Sequence, residues 1–315
     1  MAESKTVVLA ALASNAGIAI LKFGGFLLTG SAAMLSETYH SISDTGNQIF
    51  LLVGIRASSK EPNRKYPFGR GKAEFFYSFL VSILLFGIAG WESVKEGYNG
   101  LVHHEAAVGG HAVSFAGFHV PPIDVSYAIL VGGIFLEGYS LWKAYTSIQT
   151  EVEENDWSGL WEAFHKSSQV TVLTSLTENS VAVVGLLIAL VGLGLTQVTG
   201  NPVYDSAAAV LIGLALMGFA LALAVENKRL LIGESLPREA EARLRAHIRE
   251  HDGVRDLIDF RSVYFGPEEV VVAEDVAFDD DLDVGDVEDV ITRLEDDLKD
   301  RESTLRQISI EPKSA

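Results

Sequence analysis

The chain of 315 residues contains no cysteine, which removes disulfides and thiolate-bound metal centres at once. It also has no P-loop, no Gly-x-Gly-x-x-Gly, no Gly-x-Ser-x-Gly and no His-Glu-x-x-His. Nucleotide hydrolysis, dinucleotide binding and the common hydrolytic chemistries therefore have no motif to rest on. Positive charge is scarce. Lys and Arg number 24 against 42 Asp and Glu, for a net charge of −18. Without a basic patch, nucleic acid is not a partner. Residues 227–315 alone hold 24 acidic and 13 basic residues, a net of −11. These acids are scattered over helical and strand patterns rather than set at ligand spacings. They read as the solvated surface of a protein from a salt-rich cytoplasm, a halophilic trait, ahead of a cation-attracting surface.

Apolar residues are abundant: 48% of the chain is hydrophobic. Six segments have the length a helix needs to cross about 30 Å of hydrocarbon, at roughly 6–28, 32–55, 75–98, 123–148, 168–195 and 203–226. The first follows Met1–Lys5 with no cleavage-like end and reads as a retained span, not a signal peptide. The loop after the second span carries Arg56, Lys60, Arg64, Lys65, Arg70 and Lys72, while residues 99–122 and 196–202 have no Lys or Arg. By the positive-inside rule this places both termini in the cytoplasm, in a multi-pass protein of the cell membrane.

The second span is interrupted by Ser36–Gln48, in which His40 and Asp44 lie four residues apart on one helix face. An imidazole and a carboxylate at this spacing suit zinc, manganese or iron; the bland alternative is a buried pair that fixes helix packing. Two ligands leave a metal under-coordinated. The fifth span offers Glu178, a carboxylate, and Asn179, a neutral oxygen that equally suits an interhelical hydrogen bond. Asn47, seven residues after His40, and Asp205 at the start of the sixth span are further candidates, Asp205 reading foremost as a helix cap. Glu137 and Glu178 are deep enough to require a face inside the bundle, whereas Lys22, Glu92 and Glu96 fit snorkelling as well as burial. Small residues recur at Gly24, Gly25, Gly132, Gly133, Gly185, Gly192 and Gly194.

From about Leu236 the pattern turns soluble: a helix over 237–250, strands over 255–265 and 269–278, a helix over 284–300 and a strand over 304–310. The expected architecture is a six-helix transmembrane bundle over residues 1–229. A cytosolic α+β domain of ferredoxin-like type, ordered α-β-β-α-β, follows over 230–315. So thin a domain is expected to pair with a copy of itself. Outside the spans, His103, His104, His111 and His119 cluster in one loop, and His247 and His251 lie four apart on a helix. Each set fits loose metal binding or plain solvation.

With these motifs in hand the chain resembles the cation diffusion facilitators, divalent-metal/proton antiporters, over almost its whole length. The resemblance rests on six spans, His40-x-x-x-Asp44, the segment Tyr66–Glu74 and the α-β-β-α-β domain. It is nearest the branch of the mitochondrial zinc transporter through Asp44–Gln48, the Gly200–Ser206 segment and Leu230–Glu234. The resemblance implies a homodimer in a lipid bilayer, with a divalent metal as transported substrate (zinc foremost, manganese, iron or cobalt otherwise) and no organic cofactor. Metal would be held by His40, Asp44, Glu178 and Asn179 and exported against protons. The family's commonest fifth-span motif, His-x-x-x-Asp, falls here on Ser175 and Asn179, and the branch's Glu-Asp is Glu178-Asn179. One carboxylate fewer implies weaker divalent binding. The competing expectation is a membrane-anchored metal sensor or scaffold that does not transport; an enzyme is not expected.

Overall fold

In a computed structural model, residues 2–103, 113–115, 118–154, 158–159, 170–267 and 269–314 are described. They form two compact units, one of residues 1–52 and 80–224, the other of residues 53–79 and 225–315.

The first unit is helical. Its elements are α1 (Ala2–Thr29), most of α2 (Ala32–Ser58), the end of α3 (Lys72–Leu84), a π-helical turn (Leu85–Gly90), α4 (Trp91–His103), a hairpin of β1 (Val113–Phe115) and β2 (Phe118–Val120), α5 (Pro122–Glu154), α6 (Val170–Thr199) and most of α7 (Val203–Ile232). Among the described residues four helical stretches are long and apolar enough to cross a membrane: Ala73–His103, Pro122–Thr150, Leu176–Thr199 and Val203–Ile232. α1 contributes an apolar stretch at Asn15–Thr29, and α2 has the length but carries the polar run Ser36–Gln48. Large apolar side chains face outward, among them Ile20, Leu27, Phe135, Val191 and Leu221. A water-facing surface would not tolerate so much contiguous apolar area, whereas hydrocarbon does. The protein is therefore a multi-pass membrane protein.

Inside, Met34, Leu85, Leu130, Leu186, Ile212 and Leu216 form the packed centre. Small residues let the helices close on it. A Cβ at Gly97 of α4 would stand 2.5 Å from the Ser206 carbonyl of α7, and one at Gly192 of α6 would stand 2.5 Å from the Ala208 Cβ. Gly24 and Gly132, by contrast, have nothing within 4 Å, so not every recurring glycine marks a contact.

The second unit joins the far ends of α2 and α3, the basic loop between them and the C-terminal domain. That domain comprises α8 (Arg238–Arg249), β3 (Val254–Gly266), β4 (Glu269–Phe278), α9 (Val284–Arg301) and β5 (Leu305–Pro312). β3 and β4 are an antiparallel hairpin, β4 and β5 run parallel, and the sheet order is β3-β4-β5. Val270, Val272 and Val276 alternate inward from β4 and pack beneath Leu244 and Ile248 of α8 and Val290, Leu294 and Leu298 of α9. Asp283 starts α9 with a capping box, its side chain accepting from the Gly285 and Asp286 amides. The element order matches the α-β-β-α-β expectation within a few residues. The basic loop packs on the hairpin of this unit: the Phe68 and Phe265 rings lie 6.1 Å apart, and a Cβ at Gly71 would press on the Phe265 carbonyl.

Candidate metal centre

Helix α2 carries more polar residues than a membrane helix normally bears, and its own backbone absorbs many of them. Ser36 donates to the Ala32 carbonyl at 3.0 Å, Thr38 to Met34 at 2.8 Å and Thr45 to Ser41 at 2.8 Å. The helix start is held from outside: Asp205 of α7 accepts from the Ser31 hydroxyl and from the Ala32 amide, both at 2.6 Å. The capping role expected of Asp205 is correct, but the helix it caps is α2 rather than its own.

The groups left over define the centre. His40 is 2% exposed and neither ring nitrogen has a hydrogen-bond partner. Its Nε2 lies 3.6 Å from Asp44 Oδ2, the two side chains being 3% and 16% exposed. Glu178 of α6 accepts a hydrogen bond from the Asn47 side chain, which ties the second helix of the chain to the fifth-span motif. Asn179 is half-buried beside it. Glu137 of α5 lies within electrostatic range of His40, Asp44 and Glu178 together. Gln48 adds a buried side-chain oxygen without a partner one turn beyond Asp44. Lys22 and Glu37, a buried pair, also act electrostatically on His40 and Asp44. Of the ambiguous charges, Lys22 is buried rather than snorkelling, whereas Glu96 is exposed and Glu92 meets Lys95 at 3.1 Å near the surface.

Asp44, Glu178, Glu137 and Glu37 thus act within electrostatic range of one ammonium and one imidazole, an arrangement in which a cation or protons would offset the carboxylates in a dry place. Among the described residues no three His, Asp or Glu side chains converge closely enough to hold a metal as they stand. His40 and Asp44 are brought together, and Glu178 and Glu137 stand round them. Glu137 and Gln48, which the structure places in range of or one turn beyond this pair, are not among the residues that motif reading puts forward as ligands. For Gln48 the available signal was its place four residues after Asp44 on the same stripe.

Elsewhere, His247 and His251 both approach Asp297 Oδ2, at 3.8 and 3.6 Å, with their rings edge-on 6.3 Å apart. Burial, with Arg301 next, lowers the His247 pKa. His103 is exposed, with Nδ1 3.2 Å from the Asn99 carbonyl. His104, His111 and the His119 side chain lie outside the described residues.

A polytopic helical protein with a histidine–carboxylate centre among its spans defines a class, the membrane cation carriers. Residues 8–232 match the family described as the cation efflux transmembrane domain. The chain belongs to the cation efflux family, and it resembles the branch of the mitochondrial zinc transporter. It is 29% identical over 273 residues to the human mitochondrial proton-coupled zinc antiporter SLC30A9, covering 87% of this chain and 46% of that protein. It is 27% identical over 266 residues to metal tolerance protein C4 of Arabidopsis thaliana, covering 84% and 55%. It is 33% identical over 88 residues to the magnetosome protein MamM of Paramagnetospirillum magneticum, covering 28% of each chain. The chain spans about half the length of the first two relatives. The family is one of transporters, not enzymes.

Proposed function

We propose that the protein exports a divalent metal cation, zinc foremost, in exchange for protons. The observation that carries this reading is the orphaned imidazole of His40. Its two buried nitrogens lack partners, with Asp44 at 3.6 Å and Glu178 and Glu137 in range. An unpaired buried polar group is costly unless the working cycle satisfies it. A cation entering between α2 and α6 meets His40 and Asp44 first. Its charge draws in Glu178, which gives up the Asn47 amide to become a ligand, while Asn179 supplies a neutral oxygen. His40 is the exchangeable proton carrier, because an imidazole ordinarily titrates near about 6.5. Protons arriving from the far side occupy the same nitrogens and carboxylates, so metal and proton compete for one set of sites as the bundle alternates.

Six spans, including α1 and α2, both termini in the cytoplasm, residence in the cell membrane and a homodimer complete the reading. It divides the chain at 229/230 into transport and C-terminal domains. Zinc is put first because a relative is a proton-coupled zinc antiporter; the nitrogen and oxygen donors by themselves would suit manganese or iron as well.

Metal uptake into proteoliposomes under an imposed pH gradient tests it, with zinc, manganese, cobalt and iron in turn. Gradient-driven uptake that Asp44→Ala abolishes is the expected result. Uptake by Asp44→Ala equal to the parent's refutes the assignment of the centre. No uptake of any metal by correctly assembled parent protein refutes transport and leaves the sensor reading.

A further inference from the structure

One ion pair beside the centre has no role in that scheme. Lys22 of α1 and Glu37 of α2 meet at 2.8 Å between Nζ and Oε2, with side chains 1% and 0% exposed. The ammonium satisfies one carboxylate oxygen only; Oε1 is buried without a hydrogen-bond partner. Oε1 is packed against α6, where a Cβ on Gly185 would stand 2.5 Å from it. Any residue but glycine there would displace the carboxylate. Glu37 precedes His40 by three residues and Asp44 by seven, so the three share one stripe of α2. Helical rise puts Glu37 about 4.5 Å beyond His40, toward the start of α2. In the orientation proposed above, that is the outward side.

A buried pair kept only for packing is sound when its remaining lone pairs are hydrogen-bonded. Here one oxygen is left without a hydrogen-bond partner, and its residue shares the α2 stripe with His40 and Asp44. Resting on the antiport reading, we propose that Glu37 is a second cation station outward of the centre, with Lys22 as its resident counter-ion. A divalent cation leaving His40, Asp44 and Glu178 meets the open Oε1 next and displaces the ammonium from Oε2. When the cation has gone, Lys22 returns, so the Glu37 carboxylate never stands bare in a dry environment.

The test is zinc uptake by the full chain in proteoliposomes under a pH gradient, with parent and Asp44→Ala alongside. Failure of the parent to transport sinks the antiport reading and this one with it. If Asp44-dependent uptake is seen, Lys22→Met leaves Glu37 uncompensated and holds the cation: KM falls on the order of tenfold and the maximal rate falls with it. The double variant Lys22→Met/Glu37→Leu loses the station without leaving a bare charge. Its maximal rate stays low while KM returns toward the parent's. A pair that only packs helices predicts the opposite, since apolar groups commonly replace a buried pair without loss. A double variant with parent-like turnover therefore overturns the proposal. If Lys22→Met does not assemble, Gly185→Ala keeps both charges and presses a methyl on Oε1. A reduced maximal rate at unchanged KM is expected, and an unchanged rate overturns the proposal.

Discussion

Glu274 points from β4 into the core of the C-terminal domain, 1% exposed, with neither carboxylate oxygen hydrogen-bonded. Burial, and then the neighbouring charge of Glu295, push its pKa from an ordinary 4.5 up to about 7. The folded state therefore holds a proton that the unfolded chain releases. Below pH 4.5 both states are protonated and the group contributes nothing to the pH dependence. Between 4.5 and about 7 the unfolded chain ionises while the folded one does not, so stability is lost as pH rises. Above about 7 the loss is complete. At about 1.36 kcal/mol per pH unit it reaches about 3 kcal/mol, a large share of the roughly 5–15 kcal/mol that holds a domain together. Glu274→Gln keeps the shape of the protonated acid and removes the titration. Amide hydrogen exchange of β4 in the full chain, corrected for intrinsic rate, reads the effect. At pH 8 the variant should be better protected than the parent by up to about 3 kcal/mol; near pH 4.5 the two should coincide. Equal slopes of protection against pH in the two proteins would refute the reasoning. Glu295→Gln should recover the smaller part of the same effect.

Asp205→Ala leaves the Ser31 hydroxyl and the Ala32 amide without their acceptor and should cost about 1–3 kcal/mol. This is measurable as a lower midpoint of thermal unfolding in detergent, and an unchanged midpoint refutes the cross-helix cap. Gly97→Ala sets a methyl 2.5 Å from the Ser206 carbonyl and should lower that midpoint, whereas Gly24→Ala, with nothing within 4 Å, should not. Equal effects of the two glycine variants would refute the close α4–α7 contact.

Much of the architecture is legible in the residues because the membrane and the soluble domain each impose a simple pattern. Apolar length marked four of the expected spans, and alternation marked β3 and β4 to within a residue or two. His40 and Asp44 were legible as a pair because four-residue spacing fixes them on one face before any tertiary contact exists. What was not legible depends on other helices. Whether Lys22 snorkels or is buried is settled only by Glu37 lying opposite it, fifteen residues away. The target of the Asp205 cap lies 174 residues from Asp205 itself. The role of Gly97 follows from the approach of α4 to α7, which no local pattern encodes. The π turn at Leu85–Gly90 likewise has no signature in its sequence, Leu-Phe-Gly-Ile-Ala-Gly.

The hold of Asp205 on the first turn of α2 gives that helix a pivot. A rod pinned at one end converts any small rotation into travel that grows with distance from the pin. His40 lies about 12 Å from Ala32 along the axis and Gln48 about 24 Å. A tilt that shifts His40 by a given amount therefore moves Gln48 about twice as far. The leverage of α2 is therefore smaller at His40 than at Gln48, and largest where the helix runs on toward Ser58.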